Sequence, residues 1–230
     1  MQTAGEYRAL AYQAFNLARM SLDMDEMTKK KLSKTERKKS RAVMVDIDET
    51  VLDNSPQQAF SIKNRLPFNL QNWYAWGERR EAKAIPGAVD FLNHASKKGV
   101  RIFYSSNRDE VQNTATMDNL KKVGFPDVSP ETVLLRTNES SKEPRRRMVL
   151  QKYRIVLLMG DNLNDFSDVF EKKSIADRFA EVDKARDSFG TGWIVLPNAM
   201  YGDWENAIYD YKRLSESEKT ARRYSALTAY

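Results

Sequence analysis

AVMVDIDETVLDN, residues 42–54, runs from four apolar residues straight into a cluster of acids. A short stretch apolar on both faces, Ala42 to Val45, fits a strand at the centre of a parallel sheet. Asp46 and Asp48 then stand two residues apart where that strand ends, a spacing that can turn both side chains toward one ligand site. Three further stretches follow in order, FYSSNRDE (103–110), SSKEPRRR (140–147) and GDNLNDF (160–166). They add Ser106, then Lys142, then Asp161 and Asp165, in the order a metal-assisted phosphate-transfer site needs. A lone DxD is weak evidence. Four pieces in order, three of them at the carboxyl ends of predicted strands, are strong.

Working outward, Val100–Ser105, Val133–Leu135, Ile155–Met159 and Trp193–Leu196 read as further strands. Helices are predicted over residues 5–23, where Tyr7, Leu10, Ala11, Ala14, Phe15, Ala18 and Leu22 fall at helical spacing, from Pro86-Gly87 to Lys98, from a cap near Asp109 to Val123, and from Pro144. Alternating strands and helices make a doubly wound α/β sheet with helices on both faces. Open sheets of this kind bind ligands beyond the carboxyl ends of their strands, where Asp46, Ser106 and Asp161 fall. Residues 54–83 form an aromatic-rich insertion, read as two short helices, and 211–230 read as a helix or a frayed tail. We expect one domain over 1–230. Its α/β core covers about 40–53 and 84–200, and a small helical accessory lobe covers about 1–39, 54–83 and 201–230.

Composition narrows the chemistry. The 230 residues include no Cys, which removes thiol catalysis, disulfides and Cys-ligated zinc. The single His, His94, lies in a predicted helix and reads as structural; multi-His metal centres are excluded. A phosphatase built from this inventory must use carboxylates. The net charge of +6 is local: residues 29–41 hold eight basic residues and one acid, leaving 30 basic and 31 acidic residues elsewhere. That run reads as a solvated linker, with anion or lipid-headgroup attraction as the alternative. No apolar stretch approaches the roughly 18 residues needed to span a bilayer.

Two carboxylates as close as Asp46 and Asp48 cannot both ionise cheaply, so one is expected to hold a raised pKa. The natural division makes Asp46 the nucleophile, bound to a divalent metal. Asp48, protonated, then serves the leaving group and later activates water. Thr50 and Asn54 shape the following turn, and Glu49 receives no role. Ser106 with Asn107 can bind the phosphoryl oxygens. Arg108 reads either as a phosphate contact or as an exposed helix-start residue. Lys142, just before a helix amino terminus, can neutralise the phosphoryl group and Asp46. Arg145, Arg146 and Arg147 read as a solvated helix face. Asp161 suits direct coordination of a hard cation, and Asp165 either holds metal-linked water or positions Lys142; Mg²⁺ fits best.

The motif order resembles the haloacid dehalogenase superfamily. Within it, VDIDETVLDNSP, GDNLNDF, GEYRALAYQAFNLA, IPGAVDFL and LPNAMYGDWENA resemble the class C acid phosphatases, the family of bacterial lipoprotein e 5′-nucleotidases, from about Gly5 to Asn206. The resemblance implies a broad-specificity phosphomonoesterase working in mild acid with Mg²⁺. It implies ligation by the Asp46 carboxylate, the Asp48 backbone carbonyl and Asp161, with Asp165 as the fourth family aspartate. It also implies an aromatic clamp of Trp73 and Tyr201 around a substrate ring, whereas Trp76 and Trp204 read as core. Asn164, where an acid is frequent, and Gln57-Gln58, in place of an aromatic-led stretch, depart from the pattern. The expected substrates are small phosphomonoesters: nucleoside 5′-monophosphates, nicotinamide mononucleotide and aryl phosphates. The expected place is the bacterial cell envelope (periplasm or outer membrane) or outside the cell. Membrane tethering through an N-terminal lipid anchor missing from this chain and a homodimer are both compatible, and no specific nucleic acid is expected as a partner. A phosphotransferase and a surface anion-binding protein are the rival readings.

Overall fold

The computed structural model describes residues 1–230, apart from the side chain of Lys29. Helix α1 (Gly5–Thr28) is followed by a short turn, α2 (Lys34–Lys38), β1 (Ser40–Val45), β2 (Leu52–Asp53), α3 (Ser55–Asn64), α4 (Leu70–Arg79) and β3 (Lys83–Ala84). Then come α5 (Ala88–Lys97), β4 (Arg101–Asp109), α6 (Asn113–Lys122), β5 (Val133–Arg136), α7 (Glu143–Lys152), β6 (Tyr153–Gly160) and α8 (Ile175–Lys184). β7 (Trp193–Val195), α9 (Asp203–Ile208) and α10 (Glu216–Ser225) complete the chain. Five parallel strands form one sheet in the order β5-β4-β1-β6-β7. β2 and β3 pair as a small antiparallel ladder of their own.

The period of two along each strand divides the core between the two faces of the sheet. Val43 and Val45 face one apolar cluster with Ile102, Tyr104, Leu157 and Met159, covered by α1 and α5. Ala42 and Met44 face the other, with Phe103, Leu158, Val149 of α7, Phe166 and Phe170. β1 is therefore buried on both faces, as its unbroken apolar run predicts. Parallel strands need a crossover between them, and these crossovers place helices on each side of the sheet.

α1 buries Ala11, Ala14, Phe15, Ala18 and Leu22 in the first cluster, where the Phe15 and Phe91 rings lie 6.0 Å apart. Its apolar spacing is as expected except at Leu10, which stays 48% exposed. Asp25 of α1 accepts from both Arg154 nitrogens at 2.6 and 2.8 Å, tying the helix to the start of β6. The basic run lies largely in solvent, but Lys39 donates to the Leu150 carbonyl at 2.6 Å and Arg41 pairs with Glu26 at 2.5 Å. The strand predicted to stop at Ser105 continues to Asp109, and the helix expected from Asp109 begins at Asn113 after a short 3-10 turn. Residues 216–225 are helical, capped by Ser215 through a reciprocal box with Glu218. Among the described residues, no helix is long and apolar enough to cross a membrane.

Because Phe15 is buried and Leu10 is not, the two should respond oppositely to truncation. Phe15→Ala is expected to cost about 3–5 kcal/mol by urea denaturation, and Leu10→Ala to stay within about 0.5 kcal/mol of wild type. Equal losses would show that α1 does not dock through this face.

Candidate active site

The chain winds from β1 outward to β4 and β5, then crosses back to β6 and β7 on the other side of β1. The direction of winding switches between β1 and β6. Crevices form at such a switch because the two following loops diverge. Asp46 follows β1 and Asp161 follows β6, and the Asp46 amide donates to the Met159 carbonyl at 2.9 Å. Carboxylate oxygens of Asp46, Asp161 and Asp165 all lie within 4.8 Å of one another. Asp165 reaches that position because residue 160 is glycine: a Cβ there would fall well inside van der Waals contact of the Asp165 carboxyl. The Asn162 amide holds the second Asp165 oxygen at 3.0 Å.

Lys142, only 6% exposed, sits among these acids. It donates to Asp46 Oδ1 and lies 2.6 Å from Asp165 Oδ1. Burial alone would lower its pKa, but Asp165 and Asp46 more than reverse this and hold the ammonium charged. Burial pushes the Asp46 carboxyl well up, Lys142 pulls it back, and Asp165 and Asp48 push it up again. Asp161 keeps some solvent access, yet burial and Asp46 raise it well above the ordinary carboxylate range. The Thr50 hydroxyl lies 3.4 Å from both Asp46 Oδ2 and Asp161 Oδ1. One ammonium thus faces three carboxylates. An oxygen-rich, electron-excess cluster of this kind fits a hard divalent cation, which would offset the burial and the mutual repulsion that raise Asp46 and Asp161.

Asp48 lies beside this group in different company. It accepts from Asn54 Nδ2 at 2.8 Å, from the Ser106 hydroxyl at 2.8 Å and from Arg108 Nε at 3.0 Å. The two members of the Asp46–Asp48 pair thus stand in different surroundings, Asp46 beside an ammonium and two further acids, Asp48 beside an amide, a hydroxyl and a guanidinium. Asn107 is exposed and turns its amide oxygen to Arg145 Nη2 at 2.6 Å. Trp73 and Tyr201 each reach the site through one intermediary. The Trp73 ring lies 5.2 Å from the Arg108 guanidinium carbon, and the Tyr201 hydroxyl donates to Glu49.

Several residues that sequence reasoning set aside are part of the site. Arg108 is 3% exposed, so it is not an exposed helix-start residue. Arg145 donates to the Ser106 carbonyl at 2.5 Å, and Arg146 donates to the Asp165 carbonyl at 2.9 Å. Of the three arginines, only Arg147 lies on a solvated face. Glu49 is fully buried at φ 59°, a left-handed conformation uncommon outside glycine. It is held there by the Asn54 amide at 2.8 Å and by Tyr201. Burial first, then Asp48 and Asp161, raise its pKa well above the ordinary range. Asn198, after β7, donates to Asp161 Oδ2 at 2.7 Å. Trp76 packs against the main core while donating to Asn54 Oδ1 at 2.8 Å, but Trp204 is 43% exposed and is not core.

The family model described as HAD superfamily, subfamily IIIB (acid phosphatase) matches residues 1–204. A solved class C acid phosphatase from Bacillus anthracis is 43% identical with a TM-score of 0.93, covering 100% of this chain and 94% of that one. The same figures hold for the class C acid phosphatase from Bacillus anthracis with tungstate bound. Acid phosphatase 1 of Solanum lycopersicum is 28% identical over 127 residues, 52% of this chain and 49% of that protein. A stem 31 kDa glycoprotein of Glycine max is 30% identical over 125 residues, again 52% and 49%. The chain spans about half the length of these curated relatives.

A carboxyl whose pKa is raised by folding binds more protons folded than unfolded, so its stabilising contribution is full in acid and is lost as pH rises. Asp46 and Asp161 both shift in that direction. In chelator, the melting temperature should therefore fall as pH rises from about 4 toward about 7. Asp161→Asn should melt above wild type at the upper end of that range and level with it at the lower end. An Asp161→Asn protein less stable at neutral pH would contradict the raised pKa.

Proposed function

The chain belongs to the subfamily IIIB acid phosphatases of the HAD superfamily, and from that premise we propose that it hydrolyses small phosphomonoesters through an aspartyl-phosphate on Asp46. The observation that carries this reading is the Asp46 carboxylate itself, buried at the end of β1 and gripped by Lys142. A carboxylate withdrawn from water and flanked by a fixed ammonium is poised to attack an electrophile whose negative charge the ammonium can share. Tungstate is a tetrahedral oxyanion of phosphate-like shape, and its binding to the Bacillus anthracis relative supports a phosphoryl-sized site here.

In the first step an Asp46 oxygen forms a bond to phosphorus as the ester P–O bond breaks, and Asp48 gives a proton to the departing alkoxide. In the second, Asp48 takes a proton from water as that water attacks phosphorus. The bond to Asp46 breaks and inorganic phosphate leaves. Lys142 pairs with Asp46 and Asp165 in the resting site and would neutralise charge on the phosphoryl oxygens. Ser106, fully buried next to Asp48, is the hydroxyl within reach of those oxygens. A divalent cation, Mg²⁺ in this reading, would be held by Asp46, Asp161 and the Asp48 carbonyl and would supply Lewis acidity at the phosphoryl group. Asp165 serves Lys142, by its 2.6 Å contact.

In this reading substrate preference rests on Tyr201, beside Glu49, and Trp73, beside Arg108. Nucleoside 5′-monophosphates, nicotinamide mononucleotide and aryl phosphates are the proposed substrates, and a bacterial cell envelope is the proposed setting.

Two outcomes test the reading. Asp46→Asn should reduce turnover of a phosphomonoester panel to background, and excess chelator should do the same until Mg²⁺ is restored. Asp46→Asn activity within about tenfold of wild type would remove the nucleophile, given the 10²–10⁴-fold scale of single catalytic groups. Tyr201→Ala should raise KM for nucleotides roughly tenfold, as expected for one lost stacking contact, while glycerol phosphate changes little. An equal change for both would reassign Tyr201 to support of Glu49.

A further inference from the structure

Arg108 spends every face of its guanidinium inside the protein. Its Nε and Nη2 approach Asp48 Oδ1 at 3.0 and 2.9 Å, and Nη1 donates to the Thr116 hydroxyl at 3.1 Å. Nη2 also donates to Asn54 Oδ1 at 3.3 Å, and the guanidinium carbon lies 5.2 Å from the centre of the Trp73 ring. The same residue's backbone amide donates to the Ser106 hydroxyl at 3.0 Å, which directs that hydroxyl onto Asp48 Oδ2 at 2.8 Å. Asn54 closes the ring: its amide nitrogen reaches Asp48 and its oxygen is fixed by Trp76 as well as by Arg108. Both oxygens of Asp48 are thus set by groups that Arg108 itself holds in place.

We propose that Arg108, covered by Trp73, is the positioning residue that fixes the Asp48 carboxyl for proton transfer to the leaving group. The proposal rests on the phosphomonoesterase reading above. A planar fork with several donors can fix both the location and the rotation of a carboxyl, which a single ammonium cannot do. Proton transfer in a transition state tolerates little error in placement, so orientation converts directly into rate. Trp73 takes part through the cation–π contact of its ring with the guanidinium, which helps to exclude water from the ion pair. Trp73 therefore acts on the chemistry of every ester, whether or not the ester carries a ring.

Leaving-group dependence separates this from a phosphate-binding or purely structural role. Across substituted phenyl phosphates the ring is constant, while the departing phenolate ranges from the readily released 4-nitro to the poorly released 4-methoxy compound. Arg108→Lys should lower kcat/KM for 4-methoxyphenyl phosphate roughly a hundredfold, the low end of what general-acid catalysis contributes, and for 4-nitrophenyl phosphate by no more than about threefold. Trp73→Leu should show the same steepening to a smaller degree. In an Asp48→Asn background, adding Arg108→Lys should cost nothing further. Uniform loss across the series, or additive loss in the double variant, would overturn the proposal. Should Arg108→Lys fail to fold in a thermal melt, Trp73→Leu carries the same test, and a flat response there overturns it equally. If the wild-type protein hydrolyses none of these esters, the phosphomonoesterase reading fails instead.

Discussion

One buried ammonium holds this site together. Lys142 lies between Asp46 and Asp165, and Asp161 completes a group in which negative charge exceeds positive. Burial first, and then the repulsion that a single ammonium leaves uncompensated among three carboxylates, raise the pKa values of Asp46 and Asp161. The protein tolerates this tension because the charges arrive on three separate supports. These are the end of β1, the start of α7 and the loop after β6, each anchored in one of the two apolar clusters flanking the sheet. Removing either cluster would let the carboxylates drift apart, and the repulsion that calls for a divalent cation would vanish with them.

Around that centre the structure separates two carboxylates that sequence presents as a matched pair. Asp46 faces an ammonium and two further acids, whereas Asp48 faces an amide, a hydroxyl and a guanidinium. A continued pleat would put both side chains on one face, but β1 ends at Val45 and the tight turn after it sends them into different surroundings. Glu49, at positive φ, marks the cost of that turn and is held there by the Asn54 amide and Tyr201. Different environments for two like residues are what the proposed division of labour, Asp46 as nucleophile and Asp48 as proton carrier, requires.

The central strand, the doubly wound sheet and the gathering of Asp46, Lys142, Asp161 and Asp165 were legible because each rests on short-range pattern: an apolar run followed by an acid or a lysine. What was not legible depends on burial. Arg145 and Arg146 stand in a run of three arginines that looks solvated, and only tertiary contact distinguishes them from Arg147. Arg108 could have been found. Had β4 been read through to Asp109, its period of two would have placed Ser106 and Arg108 on one face with Asn107 opposite, which is the observed burial. Glu49 offered no signal, since one of its two partners, Tyr201, lies some 150 residues away. Leu10 and Trp204 depart in the other direction, as apolar residues that remain close to half exposed.

The nucleophile is the claim on which the functional reading turns, and it can be observed as a covalent adduct. The protein would be mixed with a ³²P-labelled phosphomonoester, quenched in acid within the first turnover, digested and mapped. The expected result is acid-stable, hydroxylamine-labile label on the peptide containing Asp46, absent from Asp46→Asn. Label on another residue, or full turnover with no trapped label at any quench time, would contradict it.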